Sequence, residues 1–326
     1  MSQPLIGIEI TDNEVCMAQL GTKKAILSKR LPENLVQDSK IVSTDLLADF
    51  LRNMKREGGF SGKDCAVVLP EYSTYFRTMR YPPISQAQLQ MNLPYEFRDF
   101  VGAESPHYNY DYAVVGTEKD AGGSICTLEL IAGAAQKVVI SEYEQMLKKA
   151  HLRLKSALPH EAAVINLIRN SPIEENQEIC LIGIGFRHTQ IYIFEGIHLR
   201  ATKTIDIGCA HIDEAIGGKL NIEPYLATTY REANSDNILE DQVCLDVYDR
   251  LALEIMKAVN FYKYENQQTS LDTVCYFSLG ASNVYLTDTI KSYIGFEHFP
   301  IAALMPDGCD SSENCSRCVL AAGVTM

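Results

Sequence analysis

LIGIEITDNEVCMAQL at residues 5–20 and CLIGIGFRHTQIYIF at residues 180–194 read as two copies of one pattern, about 175 residues apart. Each is an apolar strand, a short polar turn and a second alternating strand, the form of a β-hairpin. A third strand and an amphipathic helix follow each copy. A βββα unit opening each half predicts two similar lobes facing one another, and such lobes hold ligands between their hairpin tips.

At 326 residues the chain is long enough for two lobes with cores of their own. Its net charge is −13, from 29 basic and 42 acidic residues, and no Lys/Arg cluster offsets it locally. That balance argues against a nucleic-acid or anionic-membrane footprint. With neither a charged, apolar leader nor an apolar run of spanning length, a cytoplasmic protein with no membrane span is expected. Ten cysteines are too few for a disulfide scaffold at this length. Cys16, Cys65, Cys126, Cys180, Cys244 and Cys275 fall in strand or helix patterns and read as small reduced core residues.

Outward from the first hairpin, residues 25–32 supply a third strand. A helix then begins at Thr44 or Asp45 with the stripe Leu46, Leu47, Phe50, Leu51 and Met54, stopped by Gly58 and Gly59. Residues 64–70 and 72–81 read as strands, and Pro82-Pro83 marks a boundary. Residues 84–152 read as an inserted α+β unit. In it Ser85 and Gln88 form a capping box before Leu89, Leu93 and Phe97, and Pro94 bends or breaks the helix. A hairpin around KDAGGS and a helix with Val139, Tyr143, Met146 and Leu147 inward complete it. A strand at 154–159 and a helix at 161–169 return to the first lobe, and polar SPIEENQ at 171–177 reads as a linker. The expected division is therefore 1–83 with 153–172, an insert at 84–152, and a second lobe at 173–326 with a helical cap near 216–264.

The segments VVLPEYSTYFRTMRYPPIS (67–85), LPYEF (93–97), LELIAGAAQKVVISEYEQMLKKAHL (128–152), LALEIMKAVNFYKYE (251–265) and YFSLGAS (276–282) carry a family resemblance in their order and spacing. The chain resembles the actin-like ATPase superfamily and, within it, the PilM family of type IV pilus assembly proteins, relatives of the division protein FtsA. The resemblance covers nearly the whole chain. It implies an α/β actin-like ATPase fold: two βββαβα-type lobes around a cleft, with a small α+β subdomain inserted in the first. It further implies ATP and Mg²⁺ in the cleft. The matching positions are Gly7, Glu9, Thr11 and Asn13 on the first hairpin, Gly183, Gly185 and Gly208 in the second lobe, and Gly280 and Ser282 on the adenosine side.

The chain departs from that pattern where the chemistry would sit. Family members read Asp-Ile-Gly-Ser-Ser at the first hairpin; here the residues are Glu9, Ile10, Thr11, Asp12 and Asn13, and the expected phosphate-reaching Lys is Cys16. The second Asp-Ile-Gly is Gly183, Ile184 and Gly185, and the acidic position leading the next helix falls near Glu161, with His160 in better register. A degenerate site with no catalytic residue is predicted. The resemblance then implies a scaffold that docks the cytoplasmic N-terminal tail of a PilN-like inner-membrane protein, links it to pilus motor components, and stays peripheral to the membrane through that partner. The implied groove lies between the first lobe and its insert, with Tyr75, Phe76, Leu89, Leu93 and Phe97 as lining. An active ATPase or an FtsA-like filament protein are the alternatives on the same fold.

Several features carry a plainer reading. Glu9 reads as an exposed or hydrogen-bonded carboxylate at a strand end, and Arg187 and His188 as solvated turn residues. Gly183 and Gly185 serve equally well as a phosphate-facing turn or a tight turn between packed strands. Cys309, Cys315 and Cys318 with His298 fit no standard zinc spacing and read as free thiols in a surface loop. The Tyr-rich HYNYDYAVV reads as sheet surface packing.

Overall fold

The computed structural model describes residues 5–21, 24–306 and 312–326. β1 (Ile6–Ile10) and β2 (Glu14–Gln19) form the first hairpin with Ile10 opposite Val15, and β3 (Ala25–Arg30) pairs with β2. A small ribbon, β4 (Val36–Gln37) and β5 (Lys40–Ile41), precedes α1 (Thr44–Glu57), and β6 (Asp64–Val68) runs parallel to β1. On α1 the buried residues are Leu47, Ala48, Leu51 and Met54. Leu46, expected among them, is 58% exposed, because those four make a narrower arc that leaves position 46 outside.

The insert differs from its sequence boundaries at both ends. It comprises β7 (Thr74–Tyr81), α2 (Gln86–Glu96), α3 (Arg98–Val101), β8 (Tyr108–Lys119) and β9 (Ile125–Gln136), with the strand order β7-β9-β8. β7, reckoned with the first lobe, is thus a strand of the inserted sheet. Conversely α4 (Lys137–Lys149), reckoned with the insert, buries Val139, Tyr143, Met146 and Leu147 in one cluster with Ile8, Leu47 and Leu51 of the first lobe. The stripe identified the buried face; periodicity carries no information about what covers it. Ser85 and Gln88 make the expected capping box, and α2 ends two residues after Pro94.

β10 (Arg153–Leu158) pairs with β6 and completes the first five-stranded sheet, β10-β6-β1-β2-β3, before α5 (His160–Arg169). The second lobe repeats the plan with β11 (Glu178–Ile184), β12 (Thr189–Glu195), β13 (His198–Ile205), α6 (Cys209–Leu220), α7 (Pro224–Ala233), α8 (Gln242–Glu265), β14 (Thr273–Phe277), α9 (Val284–Ile294), β15 (Glu297–His298), α10 (Glu313–Arg317) and α11 (Val319–Gly323). Its sheet order is β13-β12-β11-β14-β15. Ala227 of α7 and Leu251 and Ile255 of α8 share the second lobe's core with Cys180 and Ile182, so the span 216–264 has no core of its own.

A period of two on β11 divides its side chains between two cores. Cys180, Ile182 and Ile184 face α6 and α8, while Ile179 and Leu181 join a central cluster with Ala163 and Leu167 of α5, Leu320 and Ala322 of α11, and Cys16, Ala18, Ala66 and Val68 of the first sheet. The two lobes therefore share one apolar seam. Close approach there requires glycine at two positions: a Cβ on Gly7 would strike the carbonyl of Ala321, and one on Gly323 the carbonyl of Ala163.

Cys16, Cys65, Cys180, Cys244 and Cys275 are buried, but Cys126 is exposed near the end of the β8–β9 hairpin, where it has no layer above it. Cys315 and Cys318 are buried in the seam rather than held in a surface loop, and Cys309 lies outside the described residues. Among the described residues no three His, Cys, Asp or Glu converge as a metal site, and no helix is long and apolar enough to cross a membrane.

Candidate functional site

Two cavities matter: the cleft between the hairpin tips, about 430 Å³, and a groove of about 450 Å³ beneath the inserted sheet. The cleft is lined from the first lobe by Glu9, Thr11, Asp12, Asp38, Glu71 and His160, and from the second by Gly183, Gly185, Arg187, His188, Gln190, Asp206 and Glu214. Gly280 and Ser282 line a separate cavity with Arg30, Arg231, Glu313 and Arg317. The nine positions matched to nucleotide binding thus divide between different surroundings.

Several groups that would hold ATP and Mg²⁺ are engaged within the chain. A phosphate cradle needs free backbone amides and close approach at glycine. In the first turn the amide of Thr11 donates to Glu14 O at 3.0 Å, and those of Asn13 and Glu14 donate to Thr11 Oγ1 at 3.3 and 3.1 Å. In the second, Gly185 donates to His188 O, while the first amides of α6, from Cys209 and Ala210, donate to Gly185 O and Phe186 O. Space at the glycines is equally committed. A Cβ on Gly183 would lie 2.5 Å from the Phe277 ring, and Cβ atoms on Gly208 and Gly280 would meet Phe186 O and Ile184. Gly7 faces α11, as described above, and Ser282 Oγ donates to Glu313 at 3.1 Å.

Charge runs the same way. Glu9, Asp12, Asp38, Glu71, Asp206 and Glu214 all line the cleft, and Arg187 is its one guanidinium among the described residues. That guanidinium is partly exposed, as the sequence suggested, and is also engaged by Asp12 and Asp38. Cys16, in place of a lysine, is 1% exposed, its thiol donating to Arg317 O at 3.4 Å. Glu9 is not the exposed or paired carboxylate expected. It is 5% exposed with Oε2 unpartnered, and burial, with Glu14 adding repulsion, pushes its pKa up to about 8. His160 faces the cleft, 3.2 Å from Gln190 Oε1 and 3.7 Å from Glu71 Oε1, and burial lowers its pKa while raising that of Glu71.

The groove separates the expected lining residues. Leu89, Leu93 and Phe97 are 3%, 1% and 0% exposed inside the insert's own core, with Tyr75 packed against them. They face the opposite side of the β7-β9-β8 sheet and cannot touch a ligand beneath it. Phe76 does line the groove, with Thr74, Ile131, Gly133 and Ala135 on the sheet face and Lys155, Ala157, Pro159 and Ala162 opposite. Strand alternation separates Phe76 from Tyr75, and that signal was available in the sequence once 74–81 was seen as one strand. Two strands bordering the groove, β8 and β10, each have a free edge.

A family model described as type IV pilus assembly protein PilM matches residues 7–302. Among solved structures the chain is similar to the PilM-PilN type IV pilus biogenesis complex, with a TM-score of 0.82 at 15% identity, over 99% of this chain and 97% of that one. It is also similar to ethanolamine utilization protein EutJ from Carboxydothermus hydrogenoformans, with a TM-score of 0.59 at 13% identity, over 100% and 90% of the two chains. No curated protein sequence matches it. The fold these likenesses give is the actin-like one.

Proposed function

The chain belongs to the type IV pilus assembly protein PilM family, and from that premise we propose that it is a non-catalytic scaffold that captures the cytoplasmic N-terminal tail of a PilN-like inner-membrane protein. The groove carries this reading. It is open, about 450 Å³, mostly apolar at its floor, and edged by Asp111 and Lys155, which an extended peptide can use for polar contacts. Free edges on β8 and β10 offer main-chain hydrogen bonds, so affinity would come from the backbone and selectivity from the apolar floor. The fold resembles that of a chain solved with PilN, which supports the choice of partner. Tail capture would hold the protein at the inner face of the membrane and connect the membrane complex to pilus motor components.

A nucleotide is not needed for this role. The committed turn amides, the filled glycine positions and the acidic lining support a degenerate cleft. The test is a calorimetric titration of purified protein with a synthetic peptide of the PilN-like tail, repeated on Gly133→Leu. A Cβ at Gly133 meets nothing nearer than 3.7 Å, so a side chain can start there toward the groove, and circular dichroism of the variant checks its fold before the titration. Binding to wild type, weakened about tenfold or more in the variant, is expected. Equal affinity for both would move the docking site elsewhere.

A further inference from the structure

The two hairpin tips meet through charge. Arg187, at the tip of the second hairpin, donates Nε to Asp12 at the tip of the first, and its Nη2 lies 2.9 Å from Asp38 Oδ1. The Asp12 side chain is only 6% exposed, so little water solvates its charge and the guanidinium is its counterion. Its other oxygen accepts the Ser39 amide at 2.7 Å. Asp38 and Ser39, joining β4 to β5, have φ of 51° and 60°. Neither is glycine, and a two-residue turn of that hand ordinarily selects Asn-Gly. The strained turn puts one carboxylate and one amide where Arg187 and Asp12 take them up.

A reciprocal contact runs the other way. Arg30, on β3 of the first lobe, lies 4.1 Å over the Tyr225 ring and donates to Tyr225 O at 2.7 Å and Thr229 Oγ1 at 3.0 Å, all on α7 of the second lobe. Arginines thus cross between the lobes in both directions, and Arg317 of α10 adds a further crossing with Nη1 2.8 Å from Glu14 Oε2 of β2.

We propose that Arg187 is a built-in latch: its guanidinium joins the hairpin tips where a phosphate ligand would otherwise join them, so lobe closure is a property of the chain. This rests on the reading of the cleft as one that holds no nucleotide. A planar fork suits the task, because two carboxylates from two loops are held at once by separate N–H groups, which a single ammonium does less well.

Hydrogen exchange of the full chain, followed by mass spectrometry, tests the latch in wild type, Arg187→Gln and Arg187→Lys. In Arg187→Gln the amides of 11–14, 38–39 and 185–190 should exchange about tenfold faster or more, with α5 and α11 unchanged. Arg187→Lys should fall between, and millimolar Mg·ATP should leave wild type unaltered. Unchanged tip exchange in Arg187→Gln overturns the latch, and so does protection of the wild-type tips by Mg·ATP. Acceleration that includes α5 and α11 overturns it too, since the residue would then support the whole fold. Failure of the tail peptide to bind bears on the groove alone and leaves these readouts standing.

Discussion

Glu9 shows how one residue can be visible in sequence while its state is not. The sequence marks it as a carboxylate in place of a shorter one at the first hairpin; only the fold shows that it is enclosed, with Glu14 nearby and Oε2 unpartnered. Its pKa of about 8, against an ordinary 4.5, means the folded chain keeps a proton there that the unfolded chain releases earlier. Between about pH 4.5 and 8 the native state binds more protons, so stability falls as pH rises through that window. Thermal melts of Glu9→Gln should match wild type at about pH 5 and exceed it at about pH 8, by on the order of 3 kcal/mol. A constant difference across the range would show that Glu9 is ionised in the fold. Arg187 is legible as a polar, partly solvated tip residue, but its partner Asp12, 175 positions away, is not.

Elements were legible wherever a local pattern decides them. The Ser85 capping box, the α4 stripe and both hairpins need only neighbours in sequence. Their ownership was not legible, since β7 joins the inserted sheet and α4 the first lobe through contacts distant in sequence. The same limit applies to Leu89, Leu93 and Phe97, a correct apolar face that is buried in the insert's own core rather than lining the proposed groove. Because Ser85 accepts the Gln88 amide at the start of α2, Ser85→Ala should lower stability by about 1 kcal/mol. Denaturant unfolding checks this. No change in midpoint would mean that α2 is held by Leu89 and Leu93 alone.

At the scale of the molecule, two repeated lobes share a seam built from α5 and α11, and Arg187 and Asp12 pair across the cleft above it. The repeat told of two lobes and a cleft, and the departures at Glu9, Cys16 and Gly183 marked where the cleft differs from the family pattern. What it could not tell was what surrounds those positions, because the Thr11 turn, the Phe277 ring on Gly183 and the Asp12–Arg187 pair are facts of packing. On this account the protein presents one working surface, the groove, and presents it in the same form whether or not nucleotide is near.

The most direct measurement of that claim is the calorimetric titration of the PilN-like tail peptide into the wild-type protein, with and without Mg·ATP. One dissociation constant, the same in both conditions, is the predicted result. Binding that requires the nucleotide, or no binding in either condition, would contradict it.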